Sequence, residues 1–359
     1  MTGEYFNLGN PHRITFGIIV LNGEPFTRYN LRALYPFAHQ IIVVEGASPK
    51  AADSATDDGH SVDETLLTIR NFLRDEDPEH KVVLITAEDE NHPNGFWPGD
   101  KDEQSQAYAK RATGDWLWQI DVDEFYQPND MQRVINYLVK HPKTTCITFN
   151  FRHFWGGFDY VVTGGLFMSD GFAGEVSGAV RRVFRWGPGY RYLTHRPPTV
   201  QDEAGNLSDR KKINFSKLHR GVKTYHYFMV FPNQVIRKGQ YYDRQGWKHE
   251  INVEERYRRL FSRLTQEDAF HIFTHRGTHN WLERFEGEHP PAILELMQAL
   301  KTSEEKLILR DASDIEEILA SWDYETMRWF YFASESTRAA FTSWINFLKR
   351  QIKIALRWA

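Results

Sequence analysis

The chain has one cysteine in 359 residues, Cys146, so no disulfide can close within it. That fits a reducing compartment. The strand-like run Thr145-Cys146-Ile147-Thr148-Phe149 marks the thiol as buried and inert. No run of about 18 apolar residues occurs, so no membrane-spanning helix is expected. The segment 1–10 lacks the basic-then-apolar order of a secretory signal, so a signal peptide is not expected either. Positive charge is not in excess: the formal net charge is -4. No global field therefore draws in nucleic acid, and none is expected as a partner. Internal repeats and low-complexity tracts are missing. These absences lead to the expectation of a cytoplasmic protein.

Aromatic residues are plentiful, at 14%, which is enough to build a sizeable core and to line a sugar- or base-binding cleft. The length suits one large or two modest domains. Residues 14–21 read as a buried strand, broken by Asn22-Gly23-Glu24-Pro25. A helix with Phe26, Tyr29, Leu31 and Leu34 follows and stops near Pro36. A second apolar strand, 40–44, ends in Glu45-Gly46-Ala47-Ser48. Ser61 with Glu64 three residues on reads as a capping box for the next helix. A third strand is expected over 81–86, a helix over 101–113, and a fourth strand over 116–120. Strands and helices alternating this way predict an α/β domain with a mainly parallel sheet. Beyond residue 144 short β-like pieces appear between glycine-rich stretches, and 253–359 reads as mostly helical. The expected division is a domain over 1–245 and a helical C-terminal extension over 246–359.

The fourth strand ends in Asp121-Val122-Asp123-Glu124. A buried carboxylate is costly unless paired or metal-bound. If the strand runs on, Asp121 and Asp123 point to the same face. A divalent cation would relieve their repulsion, since Mg²⁺ and Mn²⁺ accept carboxylates together with substrate phosphates. The plainer alternative is a solvated strand end turning at Pro128 and Asn129. In open parallel sheets, ligands bind beyond the carboxyl ends of the strands. Asn22, Glu45 and the Asp121/Asp123 pair all fall at those ends.

With these residues in view, the chain resembles glycosyltransferases of the GT-A (Rossmann-like) nucleotide-sugar-binding fold, family 2-like. The matching pieces are Gly17-Ile18-Ile19-Val20-Leu21-Asn22-Gly23-Glu24, then Ile41-Ile42-Val43-Val44-Glu45-Gly46-Ala47-Ser48. Trp97, Lys101 and Gln104 follow, ahead of Ala112-Thr113-Gly114-Asp115-Trp116, and the last piece is the Asp-x-Asp motif at Asp121–Asp123. The resemblance covers 13–130 well and 180–245 loosely. It implies transfer of a sugar from a nucleotide diphosphate donor, with Mn²⁺ or Mg²⁺, to a carbohydrate or lipid-linked acceptor. Asp123 would be the direct metal ligand, with Asp121 near ribose and metal. Glu45, in place of the usual Asp, would sit by the base or ribose. Asn22, Lys101, Gln104 and Arg185 would serve the donor, and His226 or else His195 would complete the metal shell. Arg181 and Arg182 are further phosphate candidates, with Arg182 on the opposite strand face from Arg185.

An acceptor base is sought after the metal motif. Glu175 leads, Asp202 comes second, and Asp159, Asp170 and Glu203 are further candidates. Phe154, Trp155, Phe158 and Tyr160 are candidates for an acceptor platform or for core. A nucleotidyltransferase acting on a sugar phosphate would share the layout, but a glycine-rich basic loop should then follow the first strand. Here that loop is Asn22-Gly23-Glu24-Pro25. An inactive sugar- or membrane-binding module is the non-enzyme alternative, and the intact acid pair weighs against it. Over 341–359, Phe341, Trp344, Ile345, Leu348, Ile352, Ala355 and Leu356 share one helical face, while Lys349, Arg350, Lys353 and Arg357 cluster on another. Such a helix can lie on the inner face of an anionic membrane or dock on protein.

Overall fold

The computed structural model describes residues 13–164, 179–219, 221–244, 252–273, 279–302, 309–337 and 344. The chain divides into two compact units that interleave in sequence. The first is Met1–Phe149, Arg181–Val222 and His289–Glu305; the second is Asn150–Val180, Lys223–Glu288 and Lys306–Ala359. The expected boundary at 245/246 falls inside the second unit.

The first unit is a mixed α/β domain. It opens with β1 (Ile14–Val20), α1 (Thr27–Leu34), β2 (Gln40–Glu45), α2 (Thr65–Asp75), β3 (Val82–Ile85), α3 (Asp100–Arg111), β4 (Trp116–Asp121) and α4 (Pro128–Lys140). Its sheet has seven strands. From one edge they are Lys212–Asn214, Cys146–Phe149, Val180–Arg185, β4, β1, β2 and β3. β4, β1, β2 and β3 run parallel, and Val180–Arg185 is antiparallel to β4.

Burial explains the continuous apolar strands. Ile41 and Val43 pack in one core cluster, and Ile42 and Val44 pack in another. Successive side chains leave opposite faces of a strand, and both faces are covered, so most positions are apolar and the buried polar ones, such as Glu45 and Gln119, are hydrogen-bonded. Each such side chain contributes roughly 1.5–3 kcal/mol on burial. Gly17 is required where α3 crosses β1, because a Cβ there would lie 2.5 Å from the Tyr108 ring.

One local expectation is corrected. Ser61 does not cap α2: its hydroxyl and its N–H both donate to buried Glu45, and Asp63 accepts from the Thr65 N–H at the helix start. The buried carboxylate needs those donors more than an exposed helix end does. Among the described residues the stretch after 253 is mostly helical, as expected, with one strand, Trp281–Arg284, paired antiparallel with Tyr160–Thr163. In the second unit Tyr160–Thr163 also pairs antiparallel with Phe151–Trp155, which in turn pairs in parallel with Thr224–Met229. Phe154, Trp155, Phe158 and Tyr160 are buried core of that unit rather than an exposed platform. Helix Pro291–Thr302 belongs to the first unit, where Glu295 pairs with Arg32 of α1. No helix among the described residues is long and apolar enough to cross a membrane.

Candidate active site at the strand ends of the first unit

The order β3-β2-β1-β4 reverses direction between β1 and β4. A crevice opens at such a switch point, beyond the carboxyl ends of the strands. Three loops meet that edge. After β1, Asn22 adopts a left-handed φ of 56°. Its Nδ2 donates to the Ser54 carbonyl at 2.6 Å, and its Oδ1 accepts from the Val62 N–H at 2.8 Å. After β2, Glu45 is fully buried. Its Oε1 accepts from the Ser61 N–H and hydroxyl at 2.8 and 2.7 Å, and its Oε2 lies 2.8 Å from His60 Nδ1. Burial disfavours charge on His60, but the hydrogen bond and charge of Glu45, with Glu88 and Asp58 behind it, prevail and raise its pKa. Gln104 of α3 is buried and donates to the Gly46 carbonyl at 2.8 Å. Asn22, Glu45 and Gln104 thus spend these side-chain groups fixing the loop walls.

The acids lie at the end of β4. The strand stops at Asp121 and the chain turns at Val122 and Asp123, so strand alternation does not set the direction of Asp123. The two are neighbours nonetheless, since the charge of Asp123 bears on Asp121. Glu124 is fully buried and takes a two-pronged contact from Arg182, with Nε to Oε2 at 2.9 Å and Nη2 to Oε1. The same Nη2 lies 3.3 Å from Asp121 Oδ2. Planar guanidinium suits such sharing. The paired carboxylates keep Arg182 charged despite burial. Burial also disfavours the charge on Asp121, yet Arg182 first, then His195 and Lys101, hold its pKa down to about 2. The Asp121 side chain remains 32% exposed, whereas Glu124 is at 0%. Asp121 is therefore the one of the two still open to a ligand.

Arg185 stands elsewhere. It pairs in register with Trp116, the first residue of β4, lies over that ring at 4.9 Å and donates to the Thr144 carbonyl. This places it roughly 16 Å along the strand from Asp121 at about 3.3 Å per residue. Arg182, on the other face, is the arginine at the acids. A period-two reading separated the two arginines; only the antiparallel register on β4 decides which one meets Asp121.

His195 ends the strand Arg191–His195 and is buried against α3. Its backbone N–H donates to Asp102 Oδ1 at 2.6 Å. Ser105 Oγ lies 2.9 Å and Gln119 Nε2 3.5 Å from Nδ1. Gln119 Oε1 accepts from the Tyr192 hydroxyl, which turns its amide N–H toward the imidazole. Nδ1 is then an acceptor and Nε2 carries the proton. Burial, outweighing the Asp121 carboxylate and aided by Lys101, Arg196 and Arg182, lowers the His195 pKa to about 3. In this tautomer Nε2 is a hydrogen-bond donor. His226 lies in the second unit, with its Nδ1 2.9 Å from His153 Nδ1. Asp202 closes its own turn, accepting from the Asn206 N–H and Nδ2 at 2.7 and 3.0 Å. Glu175 lies outside the described residues.

The match to known proteins falls on this same stretch. Residues 101–196 match the family model described as glycosyl transferase family 2. That segment of the chain is thus similar to family 2 glycosyl transferases. The matched segment encloses Lys101, Asp121, Asp123, Glu124, Arg182 and His195. Among curated proteins there is no match. Solved structures similar to the chain include glucosyl-3-phosphoglycerate synthase from Mycobacterium tuberculosis with Mn²⁺, UDP and glucosyl-3-phosphoglycerate. It is 15% identical, with a TM-score of 0.28 over 40% of this chain and 44% of that one. Another is TarS from S. aureus with UDP-GlcNAc, also 15% identical, with a TM-score of 0.27 over 40% of this chain and 35% of that one. The chain thus spans less than half the length of these structures.

Among the described residues, no group of three or more His, Cys, Asp or Glu side chains is arranged to hold a metal ion. The donors present suit a different arrangement. Two hard carboxylates, Asp121 and Asp123, stand at the edge, while Glu124 is taken up by Arg182. Mg²⁺ and Mn²⁺ are commonly held by one or two carboxylates plus substrate phosphates. The residues fit a metal that arrives with a diphosphate.

Proposed function

We propose that this chain is a metal-dependent glycosyltransferase that moves a sugar from a nucleotide diphosphate donor to a carbohydrate or lipid-linked acceptor. The observation that carries the reading is the acid end of β4. It lies at the β1/β4 switch point, with Asp121 open and kept ionised by Arg182. The family 2 match covers the same residues.

Asp121 and Asp123 would hold Mn²⁺ or Mg²⁺ together with the diphosphate. When bound, the cation supplies charge neutralisation for the leaving nucleotide. Arg182 prevents Glu124 from competing as a ligand and tethers Asp121. Lys101, whose charge bears on Asp121 from the first turn of α3, is proposed to meet the diphosphate. Glu45 and Asn22 hold the base and ribose wall through their loop contacts. His195 lies near enough for electrostatic interaction with Asp121. Glu175 is proposed as the base that takes the acceptor proton, and peripheral contact of 341–359 with an anionic membrane is proposed as the route to a lipid-linked acceptor.

The test is a panel of nucleotide sugars with Mn²⁺, reading nucleoside diphosphate release and donor binding. Asp123→Ala should abolish metal-dependent donor binding while leaving the circular dichroism spectrum unchanged. If the variant binds donor with the same metal dependence as the wild type, the assignment of the site is wrong.

A further inference from the structure

Arg152 and Tyr225 stand opposite each other in register on two parallel strands of the second unit. The Arg152 Nη1 donates to the Tyr225 hydroxyl at 3.2 Å. Phe285, directly after the strand Trp281–Arg284, brings a second ring. The two rings are nearly perpendicular, with centroids 6.1 Å apart, and the guanidinium carbon lies 5.3 Å from each centroid. Aromatic faces attract a guanidinium and hold its plane. Among the described residues, no carboxylate comes within ion-pair distance of Arg152.

Arg152 lines a cavity of about 500 Å³ whose described lining belongs wholly to the second unit. That volume is in the range of small-molecule sites. The other charges of the lining sort by partner. Arg328 spans Glu283 and Glu325 at 2.7 and 2.6 Å, and Arg284 is paired with Glu316. Lys223 adds a further positive charge. Glu286 is exposed, and no described cation lies within ion-pair distance of it. The cavity thus offers a guanidinium fork with no carboxylate in it, a match for the paired oxygens of a carboxylate or a phosphate. Its own carboxylates, Glu286 above all, repel a bare anion but accept hydrogen bonds from hydroxyl groups. A ligand that satisfies both carries an anion at one place and hydroxyls elsewhere.

We propose that this cavity binds a small sugar carrying a carboxylate or a phosphate, with the Arg152 fork on the anion and Glu286 accepting from the hydroxyls. The site needs neither Asp121 nor a metal, so it stands independently of the transfer reaction. The Tyr225 hydroxyl and the two rings orient the fork before the ligand arrives, which spares part of the entropy of ordering a long side chain on binding.

The test titrates the full chain with glucuronate, glucose 1-phosphate, glucose and inorganic phosphate by calorimetry, in EDTA so that no metal takes part. Glucuronate or glucose 1-phosphate should bind, and whichever binds more tightly identifies the anion as carboxylate or phosphate. Glucose and inorganic phosphate, each with half of the required chemistry, should bind at least roughly tenfold more weakly. Arg152→Met keeps the stem on the rings and removes the fork, and it should weaken the anionic sugar by at least roughly tenfold. Asp123→Ala should leave that binding unchanged. Loss of binding in Asp123→Ala with none in Arg152→Met would place the ligand at the acids of β4 and overturn the proposal. So would inorganic phosphate binding as tightly as the sugars, or no binding of either anionic sugar. Should Arg152→Met not fold, phenylglyoxal labelling of the wild type decides the matter. Protection of Arg152 by the anionic sugar, read by peptide mass spectrometry, supports the site, and unchanged labelling refutes it.

Discussion

Acidification should weaken this fold through His195 well before its depressed carboxylate takes part. The imidazole is buried between α3 and β4, and its pKa falls from the ordinary 6.5 to about 3. The unfolded chain therefore takes up a proton, as pH drops through 6.5, that the folded chain refuses until about pH 3. For a histidine lowered in this way, stability is full above the unfolded value and is withdrawn as pH falls toward the folded one. The slope is about 1.4 kcal/mol per pH unit, so a drop from pH 7.5 to 4.5 should cost about 2.5 kcal/mol through this group alone. Asp121, held down to about 2, gives up its contribution only between its ordinary 3.8 and that value, below this range. His195→Gln removes the titrating group. Urea denaturation across pH 7.5 to 4.5 should show the wild type losing stability more steeply than the variant, by nearly the full one-proton slope. The Cε1 proton resonance of His195 should also stay unshifted down to about pH 4, as a pKa near 3 requires. Parallel stability curves, or a resonance that titrates near pH 6, would refute the buried neutral donor.

The arginine–carboxylate cluster and the core give two further expectations. Arg182→Met leaves Glu124 buried without its partner and should cost about 3–5 kcal/mol, while adding Glu124→Gln should recover most of the loss. A loss below about 1 kcal/mol in urea denaturation would mean that the pair is not buried as described. Gly17→Ala puts a methyl group 2.5 Å from the Tyr108 ring carbon Cδ2. The tyrosine is fully enclosed, so a destabilisation of about 1–3 kcal/mol is expected, read as a lowered melting temperature.

Much of the first unit could be read from its residues. β1 to β4 lie within a residue or two of the apolar runs, because both faces of the sheet are covered and most positions along those runs had to be apolar. The acids at the end of β4 stood out for the same reason, since packing alone gives a buried strand no cause to finish in carboxylates. The later chain was less legible. Trp281–Arg284 is only four residues long and pairs with Tyr160–Thr163, over a hundred residues earlier. Helix Pro291–Thr302 returns to the first unit by packing on α1. Neither partnership leaves a local periodicity.

The acid motif was therefore determined by sequence alone: its identity, its place at a strand end and its order among the other strand-end loops. The tertiary structure decided how its members differ. The antiparallel register of Val180–Arg185 on β4 brings Arg182, not Arg185, to Glu124 and Asp121. The turn at Val122–Asp123 frees Asp123 from strand alternation. The contact between α3 and Arg191–His195 buries a histidine whose charge the low-dielectric surroundings then suppress. Each is a long-range contact, and charge state follows from what surrounds a group in space rather than from its neighbours along the chain.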